Sequence, residues 1–285
     1  NPSIGAIGPV TNKAKTEQDI SKGRDLPLEI FNVEINNYTE EISTTEWLDG
    51  FCLLTKLDIV RRIDKINDIY DNHYGDYNLS KQIKMKGYDL LIAKKVLVGH
   101  RGGVTKDPLG ITEQIKTEAF QKIKDIWSEN KDKSEVIVPS NIDSPREVKI
   151  EMFTTSIPKS YLMGKRTVDI IVPNYNQTNL TTSLIESINR TLQGVNYLLF
   201  IVDDASSEPL PNIENSNIRI IRMEQRSGFS KCVNEAMRES NSDYILVMNN
   251  DITLKTSRWL DILVGEASHY YNKAIIGGKH STLGS

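Results

Sequence analysis

The sequence predicts an α/β fold in which a parallel sheet is wound with crossover helices. Three observations predict it. From about Val168 onward, short β-rich apolar runs recur: VDIIV (168–172), YLLFIV (197–202), IRII (218–221) and YILVM (244–248). Helical patterns lie between them. Leu180, Leu184, Ile185, Ile188 and Leu192 share one face, and Phe229, Cys232, Val233, Ala236 and Met237 share another. This strand–helix alternation calls for parallel strands joined by crossovers. Finally, three of the four runs and the turn before the second helix carry polar or acidic residues at the same end, where an open parallel sheet collects its ligands.

The N-terminal part is less regular. IGAIGPV (4–10) reads as a strand and is followed by a polar stretch to about Thr45. FCLLT (51–55) is a second strand, and Leu57 to Ile66 has helical spacing. A helix is expected from Tyr77 to Met85, ended by Gly87, and then a strand over DLLIAKKVLV (89–98). The Gly-rich GHRGGVT (99–105) reads as a loop, and a further helix runs from Ile111 to about Trp127. Residues 131–165 combine charge, Pro and Ser with weak periodicity and read as a linker, with one short strand at EVIV (135–138). One internal echo stands out: a small-apolar run followed by Gly occurs both in NPSIGAIGP at the start and in YNKAIIGGK (271–279).

Bulk properties exclude several classes. In 285 residues, 26% are charged and 38% hydrophobic, which is ordinary globular composition. A net charge of −3 offers nucleic acid no basic surplus. The basic run from Lys81 to Lys86 reads as a solvated helix face. Two cysteines, Cys52 and Cys232, fall inside apolar segments, so they read as buried thiols in a reducing compartment. On that view the sequons at Asn179 and Asn189 are incidental. No apolar run approaches the ~20 residues that span a bilayer, so the chain is placed in the cytoplasm or at the inner face of a membrane. It opens on Asn-Pro-Ser without Met, which predicts a piece of a longer protein.

The polar tips carry the chemistry. The first run ends in PNYN (173–176), where Pro173 is expected to stop the ladder and the next residues turn into a helix N-terminus, a place that favours anions. Turn chemistry alone is the alternative. The second ends in VDDAS (202–206). Adjacent carboxylates repel, so Asp203 and Asp204 need donors; a nucleotide base or ribose would supply them, and a helix cap by Asp204 or Ser206 is the alternative. In RSGFSKCVNEAM (226–237), a Gly-led turn places Lys231 and Asn234 near a helix start, suited to a phosphate or a base edge. The fourth run closes with Asn249, Asn250 and Asp251.

In this order, IIVPNYN, IVDDAS, GFSKCVNEA, YILVMNND and the following WLDIL resemble the nucleotide-binding half of a family 2 glycosyltransferase with the Rossmann-like GT-A fold. The resemblance covers residues 166–285. It implies that Asp251 coordinates a divalent metal, Mn2+ or Mg2+, on the diphosphate of a UDP-, GDP- or dTDP-sugar. Asn249 stands where the family has the first acid of that motif. Asp204, with Asp203, is implied at the base, Asn250 near the ribose, and Pro173, Tyr175 and Asn176 along the nucleotide pocket. EWLDGFCLLTKLDIVRRI (46–63) and the stretch 74–103 resemble the acceptor-binding half of the same family. There Asp76 matches the catalytic base, Asp49 would face the acceptor, and His100 matches a residue that reaches the metal or diphosphate. Gly75 and Asn78 depart from the pattern, and Asp76 as an N-cap of its helix is the alternative.

The two halves run in reverse of the family order. The expected organisation is an acceptor half (1–130), a linker (131–165) and a nucleotide half (166–285), a permuted segment of a tandem glycosyltransferase. The echoed strands would both be the strand at which halves join. The function implied is metal-dependent, inverting sugar transfer to a hydroxyl on a glycan or lipid-linked acceptor, with self-association through exchanged halves as one way to complete a site. Two other readings stand beside it: a catalytically incomplete nucleotide-sugar-binding scaffold, and a nucleotidyltransferase, which PNYNQTN disfavours because it is neither Gly-rich nor basic.

Overall fold

The structure is a computed structural model describing residues 4–10, 42–63, 75–100, 167–192, 194–208, 215–254, 256–269 and 275–281, with isolated residues between them. The helix expected over 111–127 lies outside the described residues except at Thr117, Glu118 and Gln121, which are helical. The linker at 131–165 and its strand at 135–138 lie outside them altogether.

The C-terminal part alternates as expected. β5 (Thr167–Asn174), β6 (Asn196–Asp203), β7 (Ile218–Arg222) and β8 (Tyr244–Met248) are strands. Their pairings, β8 with β5, β5 with β6 and β6 with β7, are all parallel. The helices between or after them are α3 (Thr178–Thr191), α4 (Phe229–Glu239) and α5 (Trp259–His269). The strand at 168–172 is longer than expected, because the β5–β6 ladder runs through Pro173↔Val202 to Asn174↔Asp203. Pro173 therefore does not end the strand. What stops near it is the ladder on the other edge, whose last pair is Ile171↔Val247; a residue without N–H is tolerated where one edge is unpaired.

The N-terminal part supplies β1 (Ile4–Val10), β2 (Ile42–Thr45), β3 (Cys52–Lys56) and β4 (Asp89–His100). Its described helices are α1 (Leu57–Arg62) and α2 (Gly75–Met85). α1 is shorter than expected: Ile63, with φ −102° and ψ 155°, is already extended. α2 ends at Gly87, whose φ of +82° suits glycine. β2 and the three-residue β9 (Ile252–Leu254) are not evident in the apolar pattern, being short and dependent on β4 for pairing. β4 runs two residues past its expected end, so His100 closes a strand opposite Ile252 instead of lying in a loop.

One sheet of ten strands contains both parts, in the order β1-β4-β10-β3-β8-β5-β6-β7, where β10 is Ile275–Ser281. β2 and β9 also pair with β4, and β1 also with β3. The parts meet where β3 runs antiparallel to β8, with Cys52↔Met248 and Leu53↔Val247 in register. Side chains alternate between two apolar layers. Leu198, Phe200 and Val202 of β6 and Ile245 and Val247 of β8 face the layer with Leu53, Ile83 and Val233. Leu199, Ile201, Leu246 and Met248 face the layer with Cys52, Leu184 and Trp259. Coverage on both faces is the reason these strands read as unbroken apolar runs. Cys52 and Cys232 are buried free thiols, and Met237 fills core space, as the sequence suggested.

Because Leu53 sits in a layer drawn from both parts, Leu53→Ala should cost about 2–5 kcal/mol by cavity formation. Urea unfolding followed by tryptophan fluorescence and by far-UV circular dichroism should give one coincident, shifted transition. Two separate transitions would mean that the parts fold independently.

Candidate active site at the strand tips

Asn174, the last residue of β5, is the hub of the tips and is almost fully buried. Its Oδ1 accepts from Thr181 Oγ1 (2.7 Å) and from Asn250 Nδ2 (3.2 Å). Its Nδ2 donates to Asp203 Oδ1 (3.1 Å) and Ser206 Oγ (3.4 Å). Asn250 Nδ2 also donates to Thr181 Oγ1 at 3.2 Å. The amide expected near a ribose thus ties the β8 tip to β5 and α3. Such a buried network is stabilising only when its members are satisfied together.

The adjacent acids have separate donors. Asp203 accepts from Asn174, from Ser206 Oγ and, through Oδ2, from Arg222 in an ion pair. Asp204 turns the other way. Its Oδ1 accepts from Ser227 N (2.6 Å) and its Oδ2 from Gly228 N (2.8 Å), fastening the turn that opens α4. Protein donors therefore offset the repulsion that the sequence flagged. Gly228 has φ +87°, a left-handed value that a side chain would strain.

Around these acids the loops are stitched together. Asn176, with φ +51°, donates its backbone N–H to Ser206 Oγ (2.9 Å) and accepts from Ser207 N (2.8 Å) through Oδ1. Tyr175 lies beneath Arg226, whose guanidinium carbon is 4.3 Å from the ring centroid. Pro173 is half-buried on the tip of β5. Lys231 is exposed on the first turn of α4, and Asn234, one turn on, is buried. Burial pushes the Cys232 thiol well above its usual range, and the Asp204 carboxylate beside it adds to the effect.

At β8 the two parts of the chain meet. Asn249 N donates to Phe51 O at 2.9 Å. The His100 ring stacks on Phe51, with centroids 5.1 Å apart. His100 Nε2 lies 3.2 Å from Asp251 Oδ1 and 3.5 Å from Asn249 Nδ2. The three residues expected around a metal, scattered over both parts of the sequence, are therefore neighbours. Among the described residues no cluster of three His, Cys, Asp or Glu side chains is found, so the group is one carboxylate, one imidazole and one amide.

Asp76 lies on the far side of the same loop. Its Oδ2 accepts from Gly50 N (2.9 Å) and its Oδ1 from the adjacent Tyr77 N (2.8 Å); α2 already includes Gly75, so Asp76 lies in its first turn and is not its N-cap. Backbone links thus run from Asp76 through Gly50 and Phe51 to Asn249. A Cβ on Gly50 would fall 2.8 Å from Asp76 Cβ, so no side chain fits there. Asp49 is half-buried in this loop. Trp47 meets Tyr77 edge-to-face at 5.1 Å.

Asn174, Thr181, Ser206, Arg222 and Arg226 were missed in the sequence. Asn174 had a signal there as an amide inside the PNYN tip, and Ser206 as a possible helix cap in VDDAS; Thr181, Arg222 and Arg226 had none.

Residues 169–283, from β5 to β10, match the model of Glycosyl transferase family 2. Over 90 residues the chain is 30% identical to a dolichol-phosphate mannosyltransferase of Pyrococcus furiosus, covering 30% of this chain and 26% of that protein. It is 30% identical over 124 residues to an uncharacterised protein, y4gI, of Sinorhizobium fredii, covering 39% of this chain and 14% of that one. Among solved structures, S. aureus TarS 1-349 is 20% identical with a TM-score of 0.31, over 36% of this chain and 32% of that chain. The mannosyltransferase PcManGT of Pyrobaculum calidifontis, solved with GDP-Man and Mn2+, is 21% identical with a TM-score of 0.29, over 32% and 29%. Residues 169–283 thus resemble a family 2 glycosyltransferase domain, over less than half of the chain. The chain spans only about a quarter of the first of these relatives' length, and less of the second.

Two outcomes test this geometry. Cys232 should resist a thiol reagent at pH 8 in the native protein and react on unfolding, read by 412-nm absorbance with Ellman's reagent. Asp204→Asn should destabilise by about 1–3 kcal/mol, since one of the N–H groups of Ser227 and Gly228, part-buried and buried, loses its acceptor; a urea midpoint matching wild type would contradict the role given to Asp204.

Proposed function

We propose that the chain carries a site for metal-dependent sugar transfer from a nucleotide-sugar to a hydroxyl acceptor, with inversion. The observation that carries the reading is the 3.2 Å approach of His100 to Asp251, which brings together the two parts of the chain, the second within the stretch similar to family 2. Supporting it, β3 pairs with β8, so strands from 1–130 and 166–285 share one sheet; the reading takes the first as an acceptor-type half and the second as a nucleotide-type half, in permuted order. A parent with tandem domains would account for that order.

Asp251, His100 and the Asn249 amide would hold the metal. A mixed oxygen and imidazole set suits Mn2+ better than Mg2+, which prefers an all-oxygen octahedron. A bound cation there would neutralise the departing diphosphate. Tyr175, Asn176, Arg226, Lys231 and Asn234 rim the region assigned to the nucleotide. Asp203 and Asp204 act on it through the loops that they fasten, and Asn250 through the β8 tip. Asp76 would accept the proton of an attacking hydroxyl, and its bonds to Gly50 N and Tyr77 N orient the carboxylate. Asp49, in the loop that Asp76 holds, would orient the acceptor, a glycan or lipid-linked hydroxyl. No helix among the described residues is long and apolar enough to cross a membrane. The proposed setting is the cytoplasm or the inner membrane face.

Calorimetry with UDP, GDP and dTDP, each with and without Mn2+, tests the binding half of this reading. One nucleotide should bind in a Mn2+-dependent manner, and Asp251→Ala should weaken that binding at least ~10-fold, the effect expected of losing a metal contact. Donor hydrolysis or transfer should fall ~100- to 10,000-fold in Asp76→Asn, as for removal of a general base, with nucleotide affinity kept. Mn2+-dependent binding without turnover would favour a nucleotide-sugar-binding scaffold; unchanged affinity in Asp251→Ala would sink the metal assignment.

A further inference from the structure

β1 and β10 pair with the same residues. Ile7 of β1 and Ile276 of β10 both stand opposite Leu54 of β3 and opposite Leu91 of β4. Gly8 and Gly277 both meet Ile92, and Val10 and Lys279 both meet Leu97. Each strand is parallel to β4 and antiparallel to β3. Even the irregularity falls at the same step, between Gly8 and Val10 in one and between Gly277 and Lys279 in the other.

A strand has two hydrogen-bonding edges, and neighbours sit about 4.8 Å away on each. At Leu91, β4 pairs with β2 through Thr44, and β2 makes no pairing with β3, so β2 occupies the outer edge. Beside Leu54, β3 gives its other edge to β8 through Leu53↔Val247. One edge of β4 and one of β3 remain. A strand that pairs with both lies between them, and that gap is one strand wide. Ile-Gly at the shared register positions, Ile7-Gly8 and Ile276-Gly277, is the sequence counterpart of this equivalence.

We propose that β1 and β10 are mutually exclusive occupants of one slot between β3 and β4. The chain then has two closed forms, one with β1 seated and one with β10 seated, and in each the other strand is released. The candidate site is present in both forms, because the pairings that assemble it, β3 with β8 and β4 with β9, use other edges or other residues. What changes is which of the two segments, 4–10 or 275–281, is paired in the sheet. The inference stands on register and is independent of the proposed sugar chemistry.

Hydrogen exchange by mass spectrometry on the whole chain reads the two segments separately. In each molecule either 4–10 or 275–281 should be protected, never both. Leu54→Cys with Ile276→Cys, in a Cys52→Ala background, places thiols on facing residues, whose Cα separation of about 4.5–5.5 Å is within disulfide reach. Oxidation should protect 275–281 and leave 4–10 exchanging at near free-chain rates, ~10-fold or more faster than a seated strand. Leu54→Cys with Ile7→Cys should do the reverse. Protection of both segments in the same wild-type molecules, or of neither, overturns the proposal without needing any variant. A lock that leaves the other strand's exchange unchanged does so too.

Discussion

The antiparallel pairing of β3 with β8 is the contact on which the rest of the molecule depends. β8 is the end strand of the parallel set, and on one side it is satisfied by β5. Its other edge would be open apolar sheet, a surface that folded proteins cover or pair. β3 closes it with Cys52↔Met248 and Leu53↔Val247, and in doing so continues both apolar layers across the join. The loop before β3 is then fixed beside the β8 tip, through the bond from Asn249 N to Phe51 O.

Polar order at the tips follows from that packing. Residues that would be costly if buried alone are satisfied by one another: Asn174 serves Thr181, Asn250, Asp203 and Ser206. An open parallel sheet gathers such groups because each strand ends at the same side. Two carboxylates, Asp203 and Asp204, are thereby committed to holding loops in place, while Asp251 and His100 are brought together by strands from different parts of the chain. A division of labour results, in which Asp203 and Asp204 fasten loops and Asp251 lies against His100.

Much of the fold was legible in the apolar periodicity. The strands at 197–202, 218–221 and 244–248 are all present, because each is long enough and apolar enough to report its own burial. β2 and β9 were not legible: four and three residues cannot show a period, and their pairing with β4 is what makes them strands. His100 was placed in a loop for the same reason, since Gly99 and the glycines after it look like loop chemistry until β9 supplies Ile252 as a partner. At the site, the acid and amide tips were legible as positions. Their partners were not, because Ser227, Gly228 and Arg222 reach Asp203 and Asp204 only after the sheet is assembled.

The sequence by itself determined that the longer apolar runs are strands, which ends of them are polar, and that NPSIGAIGP and YNKAIIGGK share a small-apolar run followed by Gly. Those are local properties, written in side-chain period and composition. Tertiary structure alone decided that β3 abuts β8, that His100 comes within 3.2 Å of Asp251, and that β1 and β10 share one register. Hydrogen-bonding edges carry no mark in the sequence of the partner they will take, so pairing is settled only when apolar layers and free edges are satisfied together.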